Sequence, residues 1–280
     1  MNDIKLKSML EQFYIEDIGD GDLSSEFLFP ETAEGEMNLI AKMDGVFCGK
    51  KVIQQCLHVV DPATTVTCHV MDGDPLKKGE IIATANGSVH SLLKSERVLL
   101  NLIQRMSGIA TETNEVVQRI KGTNTKICDT RKTMPGLRML DKYAVRVGGG
   151  FNHRNGLYDA VMLKDNHLAF AGSISKAVQT VKENVGHTVK VEVEIETLEQ
   201  LKEAIEAGAD IIMFDNCIPK QILEWRKIVP DSIITEASGM ITKETIRDYA
   251  LAGIDYISLG YLTHSVQAFD ISANVSLNNR

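Results

Sequence analysis

Apolar and polar positions change rhythm twice along this chain. Over residues 2–18, apolar side chains at Ile4, Leu6, Met9, Leu10, Phe13 and Ile18 recur near helical spacing. A polar, turn-rich break follows from Ile18 to Ser25. Residues 36–47 read as strand, turn, strand, and Lys51 to Val60 as a short helix. Val66 to Met71 alternates with period two and predicts a strand, ended by the turn Asp72-Gly73-Asp74-Pro75. Glu80–Asn86 and Ser88–Leu92 predict two more short strands. Such a mixture predicts an α+β layered domain. From Ser95 the pattern becomes a long helix, with a stripe of Val98, Leu99, Leu102, Ile103, Met106, Ile109 and Val116 running toward Gly122. The domain junction is expected in this helix. It gives an N-terminal sandwich domain over 1–107, a second domain over 108–267, and a tail, 268–280, packing back on the first.

Beyond Lys126 strands and helices alternate. Strands are predicted at Lys126–Asp129, Asp159–Leu163, Val189–Ile195, Asp210–Phe214, Ser232–Thr235 and Asp255–Leu259. Helices are predicted at Ser173–Asn184, Leu198–Ala207, Lys220–Ile228 and Thr242–Ala252. Repeated βα units with β-branched strands imply a parallel sheet, either an open doubly wound one or a barrel. The similar strand entries Gly208-Ala209-Asp210-Ile211 and Gly253-Ile254-Asp255-Tyr256 favour the barrel.

Charge adds a location. The formal net charge is -8, yet from Lys126 to His167 eight bases face four acids. A basic island in an acidic chain attracts an anion. Gly148-Gly149-Gly150 in its middle implies close backbone approach or positive φ. No apolar run nears the roughly 20 residues of a membrane span, and the N-terminus does not read as a secretory signal. Five scattered cysteines without a CxxC pair argue against a disulfide framework or structural zinc and fit a reducing cytoplasm. The acidic balance argues against nucleic acid as a partner.

In parallel βα architecture the chemistry gathers at the C-terminal ends of strands. Those ends here are Arg131 and Lys132, Lys164, Glu194, Asp215, Ser238 with Gly239, and Gly260. Strict alternation from Val191 to Glu196 puts Glu192, Glu194 and Glu196 on one face, either a solvated strand face or a polar mouth. Both faces of a barrel strand are covered, which favours the mouth. Glu194 and Asp215 then become candidate ligands for hydrated Mg²⁺ or for sugar hydroxyls. Glu236-Ala237-Ser238-Gly239 ahead of a helix, and the turn at Gly260, would aim N–H groups at an anion; an ordinary tight turn is the competing reading for each. Beside His153, Arg154 suits bidentate recognition of carboxylate or phosphate. His58, His69, His90 and His187 lack such company and read as structural or solvated, Cys128 and Cys217 as packing residues.

Together these words resemble the quinolinate phosphoribosyltransferase family. The matching stretches are Glu96-Arg97, Ser107-Gly108-Ile109-Ala110-Thr111, Asp129-Thr130-Arg131-Lys132-Thr133, Pro135-Gly136-Leu137-Arg138 and Lys142-Tyr143-Ala144-Val145. The triple glycine, Asn152-His153-Arg154, Lys164-Asp165-Asn166-His167, Asp215-Asn216, Ala237-Ser238-Gly239 and Thr263-His264-Ser265 continue the match. The resemblance implies an α/β fold, with an N-terminal α+β sandwich followed by an incomplete parallel α/β barrel. It implies a cytoplasmic, Mg²⁺-using homodimeric pentosyltransferase that joins quinolinate to phosphoribosyl diphosphate. The products would be nicotinate mononucleotide, diphosphate and CO₂, within NAD biosynthesis. Carried over by position, Thr130, Arg131, His153, Arg154 and Lys164 would bind substrate, the latter four at the quinolinate carboxylates. Arg97 would reach the neighbouring subunit's site. Lys132, Glu194 and Asp215 would be catalytic, with the two acids serving the metal directly or through water. Ser238, Gly239, Met240, Gly260, Tyr261 and Leu262 would hold the 5-phosphate. Two positions depart from the pattern: Met240 stands where a second glycine is usual, and Tyr261 where a small residue is. A related transferase for another anionic base and a silent binder of phosphorylated metabolites are the alternatives. Retained Lys132, Glu194 and Asp215 speak against the silent one.

Overall fold

The computed structural model describes residues 1–277. The chain divides into two units. The first comprises Met1–Glu112, Met139–Gly148 and the chain from Ser265 onward; the second comprises Thr113–Arg138 and Gly149–His264. In chain order the strands are β1 (Glu34–Ala41), β2 (Gly45–Val46), β3 (Thr65–Cys68), β4 (Pro75–Leu76), β5 (Ile81–Ser88), β6 (Lys126–Cys128), β7 (Val161–Leu163), β8 (Val191–Ile195), β9 (Ile211–Asp215), β10 (Ile234–Ser238), β11 (Tyr256–Ser258) and β12 (Ile271–Leu277).

The first unit holds an antiparallel sheet ordered β12-β1-β5-β3, with a separate β2–β4 ribbon. β1 alternates as its sequence requires: Met37, Leu39 and Ala41 are buried and the residues between them are not. The helix Asp3–Ile18 buries Leu6, Leu10 and Tyr14. Its first turn is capped by the Asn2 side chain, which accepts the Lys5 N–H. The helix Lys50–Val60 buries Val52, Ile53, Cys56 and Leu57. The C-terminal strand β12 pairs with β1 from Ala41↔Ile271 to Gly35↔Leu277; residues 278–280 of the expected tail lie outside the described residues.

One expected strand is not there. Ser88–Leu92 belongs to no hairpin; β5 ends at Ser88 and a 31-residue helix runs from Val89 to Arg119. The buried positions Val89, Leu92, Leu99, Ile103, Met106 and Ala110 are spaced by three, four or seven. This helical period extends upstream of Ser95 and outweighs the β propensity of Val89. The sequence pattern also left unread the helices Leu23–Leu28, Arg138–Val147 and Asp165–Ala171.

The second unit is a six-stranded parallel sheet ordered β6-β11-β10-β9-β8-β7. Strands β7 to β11 lie side by side in sequence order, so every crossover steps in the same direction. β6, first in the chain, pairs with β11, last in the chain. An open doubly wound sheet reverses direction from a central first strand; this order is a barrel's, with the β6–β7 pairing missing. On its other edge β6 is bridged by Phe151. Phe151 donates its N–H to the Ile127 carbonyl at 2.8 Å and accepts the Asp129 N–H at 3.1 Å. The triple glycine precedes this bridge, and Gly149 has φ 92°, a left-handed turn that glycine alone adopts without strain. β7 is shorter than predicted because Asp159 caps the loop before it, accepting N–H bonds from Asn155 and Gly156. Among the described residues no helix is long and apolar enough to cross a membrane.

Candidate active site

The strand ends of the second unit surround a cavity of about 430 Å³. Its wall includes Thr130, Arg131, Lys132, His153, Arg154, Lys164, Glu194, Asp215 and Ser238, with Met162, Met213 and Ser258. Local chemistry sets each of them. After β6, Asp129 is fully buried and ties down the loop beside it: its carboxylate accepts the His153 N–H at 2.8 Å and the Asn152 amide at 2.6 Å. The Thr130 hydroxyl accepts the Lys132 N–H at 3.0 Å, and the Thr263 hydroxyl donates to the Lys132 carbonyl at 2.8 Å. A Cβ on Gly260 would stand 2.9 Å from Lys132 Cδ, so a side chain there would push the lysine stem aside. The basic island of the sequence is therefore divided. Lys126 lies over the rings of Phe151 and Tyr256, at 5.1 and 5.5 Å, and Arg138 bonds to Thr133 and the Asn155 carbonyl. Arg131, Lys132, Arg154 and Lys164 line the cavity.

The cavity brings basic and acidic side chains together. Burial, then the nearby Arg131, lower the Arg154 guanidinium's affinity for its proton. Lys164 Nζ is ion-paired to Glu194 Oε2. Asp215 is pushed up, first by burial and next by the Glu194 charge, against Lys164 pulling down. Two carboxylates at adjacent strand ends thus repel, and a hard divalent cation would relieve that repulsion.

Three groups outside the predicted set, Asp129, Glu192 and Glu236, lie against the wall residue His153. His153 Nε2 is 3.0 Å from Glu192 Oε2 and 3.6 Å from Glu236 Oε1, and both carboxyls are almost completely buried. Burial and the neighbouring Glu192 push Glu236 up to about 7, with His153 opposing. The sequence held part of this signal. Period two put Glu192 on the face of Glu194, but nothing marked Glu236 as its partner across the sheet. Asp129 was legible only as part of a motif.

The expected phosphate loops are less uniform. Ser238 lines the cavity. Gly239 has φ 87°, and a Cβ there would fall 2.2 Å from the Asn216 Oδ1 and 2.9 Å from its backbone nitrogen, so only glycine fits. Met240 has φ 52° and is 82% exposed; its side chain faces outward while its backbone takes a left-handed turn usually reserved for glycine. Leu262 is buried. Neither Gly260, Tyr261 nor Leu262 is part of the cavity wall. Arg97 belongs to the first unit, where its side chain is 60% exposed and 3.9 Å from Glu96.

Fold and cavity define an α/β-barrel enzyme that handles anionic substrates. Comparison with known proteins gives the family. Residues 22–107 match the quinolinate phosphoribosyl transferase N-terminal domain, and residues 109–274 match its C-terminal domain. The chain is 53% identical over its full length to 96% of a probable nicotinate-nucleotide pyrophosphorylase [carboxylating] of Bacillus subtilis. It is 37% identical, over 96% of this chain and 82% of the relative, to the mitochondrial quinolinate phosphoribosyltransferase [decarboxylating] 2 of Nicotiana glauca. The crystal structure of NadC from Streptococcus pyogenes superposes with a TM-score of 0.95 at 39% identity, covering 100% of this chain and 99% of that one. The chain belongs to the quinolinate phosphoribosyl transferase family.

Proposed function

We propose that the cavity is where quinolinate meets phosphoribosyl diphosphate. The enzyme transfers the phosphoribosyl group to quinolinate with decarboxylation, giving nicotinate mononucleotide, diphosphate and CO₂. One observation carries the reading of the site: Arg131, Lys132, Arg154 and Lys164 share one cavity with Glu194 and Asp215. A pure anion receptor gains nothing from two acids beside its phosphates. A displacement at an anomeric carbon gains a great deal, because positive charge develops there while diphosphate leaves.

Arg131, Arg154 and Lys164 hold the two quinolinate carboxylates and orient the ring nitrogen toward the sugar carbon. Thr130 fixes the loop that presents Lys132. The bond from the anomeric carbon to diphosphate breaks as the bond to nitrogen forms. Glu194 and Asp215 face the cationic sugar, and Lys132 faces the leaving diphosphate. The residues fit Mg²⁺: both are carboxylates at adjacent strand ends, and the Glu194 charge helps to push Asp215 up. Glu194 and Asp215 would hold magnesium directly or through water, and bound there it would supply charge neutralisation of the diphosphate. Once the nitrogen is quaternary, the ring accepts the electron pair left at C2 as CO₂ departs, and a solvent proton replaces it. The Ser238–Met240 turn and the Gly260–Leu262 backbone hold the 5-phosphate. Arg97 serves a neighbouring subunit's site in a homodimer; its exposed guanidinium in the other unit supports this role. The five free thiols suit the cytoplasm.

The test is direct. Purified protein with quinolinate, phosphoribosyl diphosphate and Mg²⁺ is expected to release CO₂ and form nicotinate mononucleotide. Turnover of nicotinate with none of quinolinate would overturn the reading.

A further inference from the structure

We infer that Glu192 and Glu236 are positioning residues: they hold the His153 imidazole by its Nε2, turned into the barrel, so that its Nδ1 fixes the Arg154 peptide. The inference rests on the assignment of the cavity to quinolinate.

Arg154 sits between Asn152 and Ala160 in a segment without helix or strand, so no backbone ladder sets its direction. Side chains must do so. The Arg154 N–H donates to His153 Nδ1 at 2.8 Å. A nitrogen that accepts carries no proton, so the network assigns the ring proton to Nε2. That Nε2–H points at Glu192 Oε2, 3.0 Å away. Both ring nitrogens are thereby used inside the protein, and in this arrangement His153 offers the cavity its ring edge and no donor. Its main-chain N–H is held as well, by Asp129 Oδ1 at 2.8 Å. Arg154 Nη1 donates to the Ala160 carbonyl at 3.2 Å, which leaves the rest of the guanidinium for a substrate carboxylate.

Two buried acids behind His153 would repel an anionic substrate if both were charged. One Nε2–H satisfies one of them. Glu192 Oε1 and Glu236 Oε1 have no hydrogen-bond partner, and an orphaned buried carboxylate is costly. Glu236, farther from the imidazole and facing Glu192, His153 and Asp129, takes the neutral role, in keeping with its elevated proton affinity.

The experiment has two arms. In ¹⁵N-histidine NMR at neutral pH, wild-type His153 is expected as the Nε2–H tautomer, and Glu192→Leu is expected to abolish that fixed signature. This arm needs no substrate. In kinetics, Glu192→Leu is expected to raise the quinolinate KM on the order of tenfold, as small misplacements near a reacting group do, while the phosphoribosyl diphosphate KM holds. Glu192→Gln, whose amide oxygen still accepts the Nε2–H, is expected to rescue most of the loss. A wild-type His153 protonated at Nδ1, equal damage in Glu192→Leu and Glu192→Gln, or one equivalent of divalent metal bound by the cluster on elemental analysis would each overturn it. A wild-type enzyme inactive on quinolinate with the tautomer intact would sink the functional reading and leave the clamp standing.

Discussion

Lys164 and Glu194, at the ends of the neighbouring strands β7 and β8, are bound to each other by an ammonium–carboxylate pair. Their proposed duties are opposite, one to a substrate carboxylate and one to a metal. Substrate and metal binding therefore exchange this pair for two new ones. Lys164→Ala is expected to raise the quinolinate KM by roughly 10- to 100-fold, the worth of one charge-assisted hydrogen bond. Glu194→Gln is expected to raise the Mg²⁺ requirement instead. Because the two share a partner, the double variant should fall short of additivity. Steady-state kinetics with magnesium titrations read all three.

Arg131 is close enough to Arg154 to disfavour the Arg154 charge, which burial already weakens. A dicarboxylate removes that penalty, so quinolinate should stabilise the protein by about 3 kcal/mol at a hundredfold excess over its Kd. In Arg154→Ala the ligand-free protein should melt at the same temperature or slightly higher, while the rise on adding quinolinate largely vanishes. Thermal melts with and without the ligand decide this, and a wild-type-sized rise in the variant would remove Arg154 from the receptor.

Glu236 gives a pH dependence of fixed sign. Its folded proton affinity is raised, from the ordinary 4.5 to about 7. The folded protein therefore binds more protons than the unfolded chain between those values. Stability falls as pH rises through this window, by at most about 3 kcal/mol. Glu236→Gln should lose this slope, so the difference between the two melting curves, taken from pH 4.5 to 8, isolates the group.

Gly239→Ala should be damaging out of proportion to one methyl group. The left-handed φ alone costs about 1–2 kcal/mol, and the added carbon collides with Asn216. A lower Tm together with a raised phosphoribosyl diphosphate KM is expected. Met240→Gly, at a position already left-handed and exposed, should be tolerated in both respects.

Arg97→Ala and Lys164→Ala chains, each impaired alone, should recover activity when mixed, since a mixed dimer retains one intact shared site. Mass spectrometry of exchanged subunits accompanies the assay. No recovery among verified heterodimers would keep Arg97 out of its neighbour's site.

Much of the barrel was legible because its strands end in chemistry: Lys164, Glu194, Asp215 and Ser238 lie where period and polarity put them. The strand expected at Ser88–Leu92 failed because five residues are too short a run to tell a strand from the first turn of a helix, although Val89 and Leu92, three apart, share one helical face. The helix they begin becomes evident only through Leu99 and Ile103. The Glu192–His153–Glu236 cluster could not be read in advance for a different reason. Its members lie 39 and 44 residues apart in sequence, and only the neighbouring of strands β8, β9 and β10 joins them. The division of the basic island was equally hidden, since Lys126 and Lys164 look alike until one is found stacked on rings.

The missing β6–β7 pairing gives the Phe151 bridge a second meaning. Where a closed barrel would place a strand ladder, this one spends two hydrogen bonds, and the same few residues that make them also carry Asn152, His153 and Arg154. Loosening of that seam would leave the other five strands paired and yet dissolve the substrate grip. Recognition thus depends on this bridge, and substrate binding should slow amide exchange at Asp129 and Phe151 more than anywhere in β8 to β10.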